Sequence, residues 1–193
     1  MTTQPKCLVI AGPNGSGKTT FATTFLPLYV ECKNFVNPDL VARAFSPFNP
    51  DDALLKAAKM TLEIMDENIA AKRDFAFETT LSGRSYAMKL KQIKDAGFTV
   101  WMFYLWIPSP ELSIQRIKER VNQGGHDVPT QDVLRRFERT QRNLFTLYRP
   151  LLDSLWFFDN SSKIPRLVFK DIDGTTSIED ATLYNRLTKE FTP

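Results

Sequence analysis

Two spacings of apolar residues alternate along this chain. Short unbroken apolar runs recur, and between them apolar positions return every three or four residues. The runs read as strands buried on both faces, and the stretches between them as amphipathic helices. The first run, Lys6–Ala11, stops at Gly12. Gly12–Gly17 is a glycine-rich turn, and Lys18–Leu26 is a helix that halts near Pro27. Asn34–Asn37 is a second, short strand. Asn37-Pro38-Asp39 has the form of a helix start, an Asn cap with Pro in the first turn, and Asn49-Pro50-Asp51-Asp52 repeats it. Behind the repeat, Leu54, Ala57, Ala58, Leu62, Met65 and Ile69 fall at helical spacing and predict a helix to about Lys72.

Asp74–Glu78 is the next apolar run, closed by its glutamate. A helix follows over Tyr86–Ala96 and ends at Gly97. Phe98–Trp106, aromatic and β-branched, is a strong strand, and its aromatic residues read as core rather than as a stacking surface for bases. Pro108-Ser109-Pro110-Glu111 opens a helix with a stripe of Ile114, Ile117 and Val121. Asn122–Thr130, with its glycines and Pro129, is a loop. Gln131–Leu152 is predicted as one long helix with Leu134, Phe137, Leu144, Leu147 and Leu151 inward. Leu155–Phe158 and Arg166–Phe169 form a hairpin across Asn160-Ser161-Ser162, and Ser177–Phe191 is a closing helix.

Strands that alternate with helices predict an α/β fold: a three-layer sandwich on a mostly parallel sheet of about five strands. An Arg-bearing helical lid would cover about residues 116–142, and the C-terminal hairpin and helix about residues 155–191. The length, 193 residues, fits a single domain. With 42% hydrophobic and 24% charged residues, the composition is that of an ordinary globular protein and sets aside disorder, coiled coil and collagen. The longest apolar candidate for a membrane span, Phe98–Ile107, is too short, and Thr99 interrupts it. Residues Met1 to Lys6 run straight into the first strand without the layout of a signal peptide. The two cysteines, Cys7 and Cys32, lie outside metal-ligand spacing, and one histidine makes no metal site. The expectation is a cytoplasmic protein with no membrane partner.

Net charge is +3, and its placement matters more than its size. From Arg116 to Arg142 seven basic residues face four acidic ones, so this stretch carries the whole excess. Six of the seven cations are arginine, the residue suited to bidentate phosphate contact. A local anion site fits this distribution, and general coating of nucleic acid does not.

The anion has a cradle. Gly12-Pro13-Asn14-Gly15-Ser16-Gly17-Lys18-Thr19 matches G-x-x-x-x-G-K-[ST] at every fixed position, between a strand and a helix. Glycines let successive N–H groups curl around a polyphosphate, and the helix that follows offers its positive end. Lys18 supplies a cation for the β and γ phosphates, and the Thr19 hydroxyl can join a Mg²⁺ shell, with Thr20 beside it. ATP and Mg²⁺ are the cofactors this implies. No base-reading N-K-x-D pattern of a GTPase follows. Asp171-Ile172-Asp173-Gly174 matches D-x-x-G only where no switch loop belongs, and it reads as a turn. No L-S-G-G-Q signature or Walker B pair follows either, which leaves the plan of a small P-loop kinase.

Asp39, just past the second strand, and Glu78, at the end of the third, fall where ligands bind in an open α/β sheet. One can serve as general base on an acceptor hydroxyl, and one can bind acceptor or hold Mg²⁺ through water. The alternatives are a dipole-stabilised helix acid for Asp39 and a strand-end surface charge for Glu78. Arg116 and Arg120 share a helical face before the loop Gly124-Gly125-His126-Asp127-Val128-Pro129. Arg135, Arg139 and Arg142 share another face beyond it, beside Arg136. That is the layout of a lid closing cations over transferring phosphate, or of a solvated face paired with Glu119, Asp132 and Glu138. His126 suits contact with the substrate or ordering of the loop better than base catalysis.

Taken in order, these motifs resemble the zeta toxin family of P-loop kinases. The resemblance rests on the phosphate loop, Asn37-Pro38-Asp39, Glu78-Thr79-Thr80, Arg84 and the Arg120-to-Arg136 lid. Gly124-Gly125-His126-Asp127-Val128-Pro129, Arg135-Arg136 and Asp159-Asn160-Ser161 are closer still to its compact bacterial branch, and the likeness spans about residues 5 to 170. Family toxins phosphorylate UDP-N-acetylglucosamine at a sugar hydroxyl. The resemblance therefore implies Asp39 as base, Glu78 with Thr80, Arg84 and His126 on the acceptor side, and Arg120 and Arg136 as lid arginines. It also implies Lys18 and Thr19 as phosphate and Mg²⁺ ligands, and an antitoxin protein as partner. This chain departs from the family in spacing its arginine from Glu78 by Thr79-Thr80-Leu81-Ser82-Gly83, a longer acceptor loop. The small-molecule acceptor stays open, as do two alternatives: a nucleotide or polynucleotide-end kinase, and a non-enzymatic ATP-binding regulatory partner.

Overall fold

A computed structural model describes residues 4–191, so Met1–Thr3 of the N-terminal reading lie outside it. Strands are β1 (Lys6–Ala11), β2 (Phe35–Val36), β3 (Phe75–Thr79), β4 (Thr99–Trp106), β5 (Ser154–Asp159), β6 (Arg166–Ile172) and β7 (Thr175–Ile178). Helices are α1 (Lys18–Phe25), α2 (Pro38–Phe45), α3 (Leu54–Ala70), α4 (Ser85–Asp95), α5 (Pro110–Asn122), α6 (Thr130–Asn143) and α7 (Ala181–Phe191). They build one sheet in the order β2-β3-β1-β4-β5-β6-β7. The strands from β2 to β5 run parallel, and β6 and β7 are antiparallel additions.

The unbroken apolar runs are explained by burial on both faces. One face carries Leu8, Ile10, Ala76 and Phe103 against Ala22, Phe21 and Phe25 of α1. The other carries Val9, Phe77, Met102 and Phe157 against Met65 of α3, Leu90 of α4 and Leu187 of α7. This is the expected three-layer sandwich. Strand β1 lies between β3 and β4, and the chain leaves it for the far edge through α1 and β2. The crevice at the C-terminal end of β1 is thus the switch point where such sheets bind ligands. Phe103, Tyr104 and Trp106 are buried, and Trp156 stacks on Phe103, so the aromatic residues of β4 are core as expected. Both cysteines are free, and burial pushes both thiols up. Among the described residues no helix is long and apolar enough to cross a membrane.

Several expectations need correction. The sheet has seven strands rather than about five. The helix expected from Ser177 begins at Ala181, because Thr175–Ile178 pairs with β6 as an exposed edge strand without an apolar pattern. Of the turn expected over Asp171–Gly174, only Asp173 and Gly174 turn, both with positive φ between β6 and β7 as two-residue hairpins require, while Asp171 and Ile172 end β6. The long helix expected to Leu152 leaves α geometry after Asn143, through a π turn over Leu144–Tyr148 and a 3₁₀ turn over Arg149–Leu151. Pro150 lacks the N–H that a further α turn would use. Leu134 points outward while Val133 and Phe137 are buried. On α3 the buried line is Ala57, Thr61, Met65 and Asn68, and Leu54 and Leu62 are exposed. Small and polar side chains let that helix lie close to its neighbours, which a count of apolar positions misses.

The added hairpin is locked by Arg149. Its Nε donates to Asp171 Oδ2 at 2.7 Å and its Nη2 to Asp171 Oδ1 at 3.0 Å. The guanidinium also lies 5.1 Å from the Phe169 ring centre. Removing one partner of a largely buried pair strands the other charge. Arg149→Leu should therefore cost about 2 kcal/mol, seen as a fall of about 4–8 °C in a thermal melt. An unchanged midpoint would show that the pair contributes nothing.

Candidate active site

The turn after β1 is tight because three neighbours crowd it. A Cβ on Gly12 (φ +143°) would lie 2.3 Å from the Leu105 carbonyl oxygen. One on Gly15 would lie 2.7 Å from the Ser113 carbonyl oxygen, and one on Gly17 would lie 2.8 Å from Asn160 Nδ2. Glycine is thus required by space as well as by positive φ. Gly17 ends the turn in the left-handed region, and no side chain caps α1. The first N–H groups of α1 are left to an anion, the arrangement by which helix N-termini bind phosphate.

Lys18, on the first turn of α1, is 7% exposed. Its Nζ donates to the Pro13 carbonyl at 2.8 Å and lies 3.9 Å from Glu78 Oε1. Burial holds this ammonium below the ordinary lysine range; Glu78 and Asp39 oppose the shift, and Arg120 adds to it. The site therefore concentrates two acids and a second cation around one buried lysine.

Glu78 is the penultimate residue of β3, beside the loop. Its Oε2 accepts from the Thr19 hydroxyl at 2.7 Å and from Asn37 Nδ2 at 2.8 Å. Asn37 is buried and works at both ends, because its Oδ1 also caps α2 by accepting from the N–H groups of Asp39 and Leu40. The sequence marks Asn37 only as a cap, and its second contact joins residues far apart in the chain. Asp39 lies in the first turn of α2, exposed.

Helix α5 closes the other side. Ser113 donates its hydroxyl to the Asn14 carbonyl. Arg116 donates to the carbonyls of Asn160 at 2.9 Å and Ser161 at 3.0 Å. One turn on, Nε and Nη2 of Arg120 are buried with no hydrogen-bond partner among the described residues. The helix ends in a glycine cap: Gly124 has positive φ, and the N–H of Gly125 bonds the Arg120 carbonyl. A cavity of about 680 Å³ results, lined by Gly15, Gly17, Lys18, Thr19, Thr20 and Glu78 on one side. Arg116, Arg120, Phe21, Phe25, Asn160 and Pro165 line the rest.

The structure thus gathers the phosphate loop, Thr20, Glu78 and Arg120 in one cavity and places Asp39 in electrostatic reach of Lys18. Other expected residues are not among those lining it. Arg136 and Arg135 both pair with Asp132, and Arg142 pairs with Glu138, all on α6. For these three the solvated-face alternative describes what is found. Arg84 precedes α4 at its N-cap position, exposed, and His126 is half-buried in the loop between α5 and α6. The Thr80 hydroxyl lies 2.9 Å from the Ser82 hydroxyl. The loop after β3 is firmly held: buried Leu81 has φ +58°, Asn143 donates to its carbonyl at 2.7 Å, and Tyr148 donates to the Gly83 carbonyl at 2.7 Å.

Comparison with known proteins agrees with this layout. An uncharacterized protein of Haemophilus influenzae strain Rd is 34% identical over 123 residues, 64% of this chain and 86% of that one. The crystal structure of the AvrRxo1-ORF1:-ORF2 complex with ATP superposes with a TM-score of 0.78 at 19% identity, over 97% of this chain. This chain spans 64% of the length of the AvrRxo1 chain it matches. The PezAT chromosomal toxin-antitoxin system of Streptococcus pneumoniae superposes with a TM-score of 0.63 at 15% identity, covering 97% of this chain and 86% of that one. The fold is that of the P-loop kinases. The model of the Zeta toxin family matches residues 1–178, and the chain belongs to that family.

Proposed function

We propose that this protein transfers the γ-phosphoryl group of ATP to a hydroxyl of a small molecule, with Mg²⁺. The observation that carries the reading is the buried Lys18, set with Thr19 and Glu78 under a glycine loop that opens on a cavity of about 680 Å³. Family membership and a structural likeness to a complex with ATP support it. The phosphates would lie on the loop and on the first N–H groups of α1, with Lys18 against the β and γ groups. Arg120, with two unpartnered buried nitrogens, is the lid cation best placed to join them.

The donor set fits Mg²⁺. The Thr19 hydroxyl gives its hydrogen to Glu78 and accepts only a long 3.4 Å hydrogen bond from Asn37 Nδ2, which leaves an oxygen lone pair for a hard cation. Among the described residues no cluster of three acids, histidines or cysteines offers a protein-only cage, and Mg²⁺ beside phosphates needs none. When bound, the ion would neutralise charge on the phosphate oxygens. Glu78 or Asp39 could hold it through water.

In the transfer step the acceptor oxygen bonds to the γ phosphorus and its proton passes to the Asp39 carboxylate. The bond to the β–γ bridging oxygen breaks, and ADP leaves with the electron pair. Glu78, with Thr80, Arg84 and His126, would position the acceptor, and Arg136 would have to leave Asp132 to reach phosphate. A nucleotide sugar such as UDP-N-acetylglucosamine is the first acceptor to try. An antitoxin partner is part of this reading, in line with the likeness to a toxin-antitoxin system. ADP release should rise on addition of one class among nucleotide sugars, nucleosides and polyols. Tight ATP binding with no stimulation by any of them would favour a non-enzymatic regulatory partner instead.

A further inference from the structure

Asp159-Asn160-Ser161, at the end of β5 and just beyond it, holds none of the roles just given, yet it is held by several hydrogen bonds beside the cavity. The Asn160 N–H donates to the Trp106 carbonyl at 2.8 Å, which fixes the backbone to the end of β4. Its side-chain Nδ2 donates to the Ser16 carbonyl at 2.6 Å. The same Nδ2 is the atom that a Cβ on Gly17 would strike. Asn160 thus lies against the last turn of the phosphate loop and engages the Ser16 carbonyl.

Asn160 is itself held. Arg116 forks across its carbonyl and that of Ser161. Asp159 accepts from the Ser161 N–H at 2.9 Å and from Arg166 at 2.7 Å. Despite burial, which raises it, the Asp159 carboxyl is held below its usual range by these hydrogen bonds. Ser113 of the same helix as Arg116 bonds the Asn14 carbonyl on the loop's other side. A carbonyl turned inward among phosphate-binding N–H groups would repel an oxyanion, so a donor that ties up the Ser16 carbonyl serves the anion directly.

We infer that Asn160 is a positioning residue, clamped by Arg116, that presets the curl of the phosphate loop for a polyphosphate. The assignment rests on the phosphate-loop reading above.

The test uses ATP and inorganic tripolyphosphate, a probe without a base, in calorimetric titrations of the full chain. Asn160→Ser should weaken both by about fivefold to tenfold, the loss of one hydrogen bond, with the KM for the acceptor unchanged. If Asn160 instead recognises the base, tripolyphosphate affinity will stay constant while ATP affinity falls, and the assignment is wrong. Arg116→Lys supplies the second arm, because it keeps the charge and loses the fork. It should weaken tripolyphosphate about as much as Asn160→Ser does; full affinity would mean that Arg116 acts as a charge on phosphate and not as a clamp. Wild-type protein that fails to bind tripolyphosphate would remove the phosphate-loop reading itself, and this assignment with it.

Discussion

Asp39→Asn lowers kcat by about 10²- to 10⁴-fold and leaves ATP affinity within about threefold, if Asp39 takes the acceptor proton. The split follows from its position. Asp39 is exposed in the first turn of α2, and its backbone N–H is held by Asn37 whatever its own side chain is. The replacement is isosteric, so the fold loses little beyond a few tenths of a kcal/mol of helix-dipole interaction. What disappears is a carboxylate within electrostatic reach of Lys18. Steady-state turnover beside a calorimetric titration separates the two quantities. Full turnover in this variant would take Asp39 out of the mechanism and leave Glu78 as the acid to test next.

Lys18→Met is the complementary case. It keeps the apolar stem and removes the ammonium, which is buried and already bonds the Pro13 carbonyl. A charge-assisted hydrogen bond to phosphate contributes about 1.5–3 kcal/mol, so ATP affinity should drop about 10- to 150-fold. Turnover should fall further, because the same charge faces the transferring group. The variant also leaves Glu78 without the cation 3.9 Å from it, so a thermal melt should accompany the titration. Unchanged ATP affinity would contradict the role assigned to the loop.

The parts of the site visible in the sequence are those encoded locally. An unbroken apolar run followed by Gly12-Pro13-Asn14-Gly15-Ser16-Gly17-Lys18 specifies strand, turn and helix together, and the structure has all three. Glu78 was legible because a parallel strand that ends in a polar residue at the switch point delivers it to the crevice. The lid arginines were less so. Composition puts a basic excess between Arg116 and Arg142, but Arg135, Arg136 and Arg142 have acids three or four residues away on their own helix. Arg116 turned out to brace a loop rather than to stand free. Contacts that join distant segments left no local trace. The second hydrogen bond of Asn37, the reach of Asn160 to Ser16 and the grip of Asn143 on Leu81 are of this kind. Strand β7 escaped for the opposite reason, since all four of its residues are exposed and no apolar period marks them.

One measurement bears on the central claim directly. Wild-type protein is incubated with ATP, Mg²⁺ and, in separate reactions, nucleotide sugars, nucleosides and polyols, and the small molecules are resolved by mass spectrometry. The account predicts one acceptor class that gains the mass of a single phosphoryl group, matched by ADP, with none formed by Lys18→Met. ATP held tightly while every acceptor is recovered unmodified would contradict it.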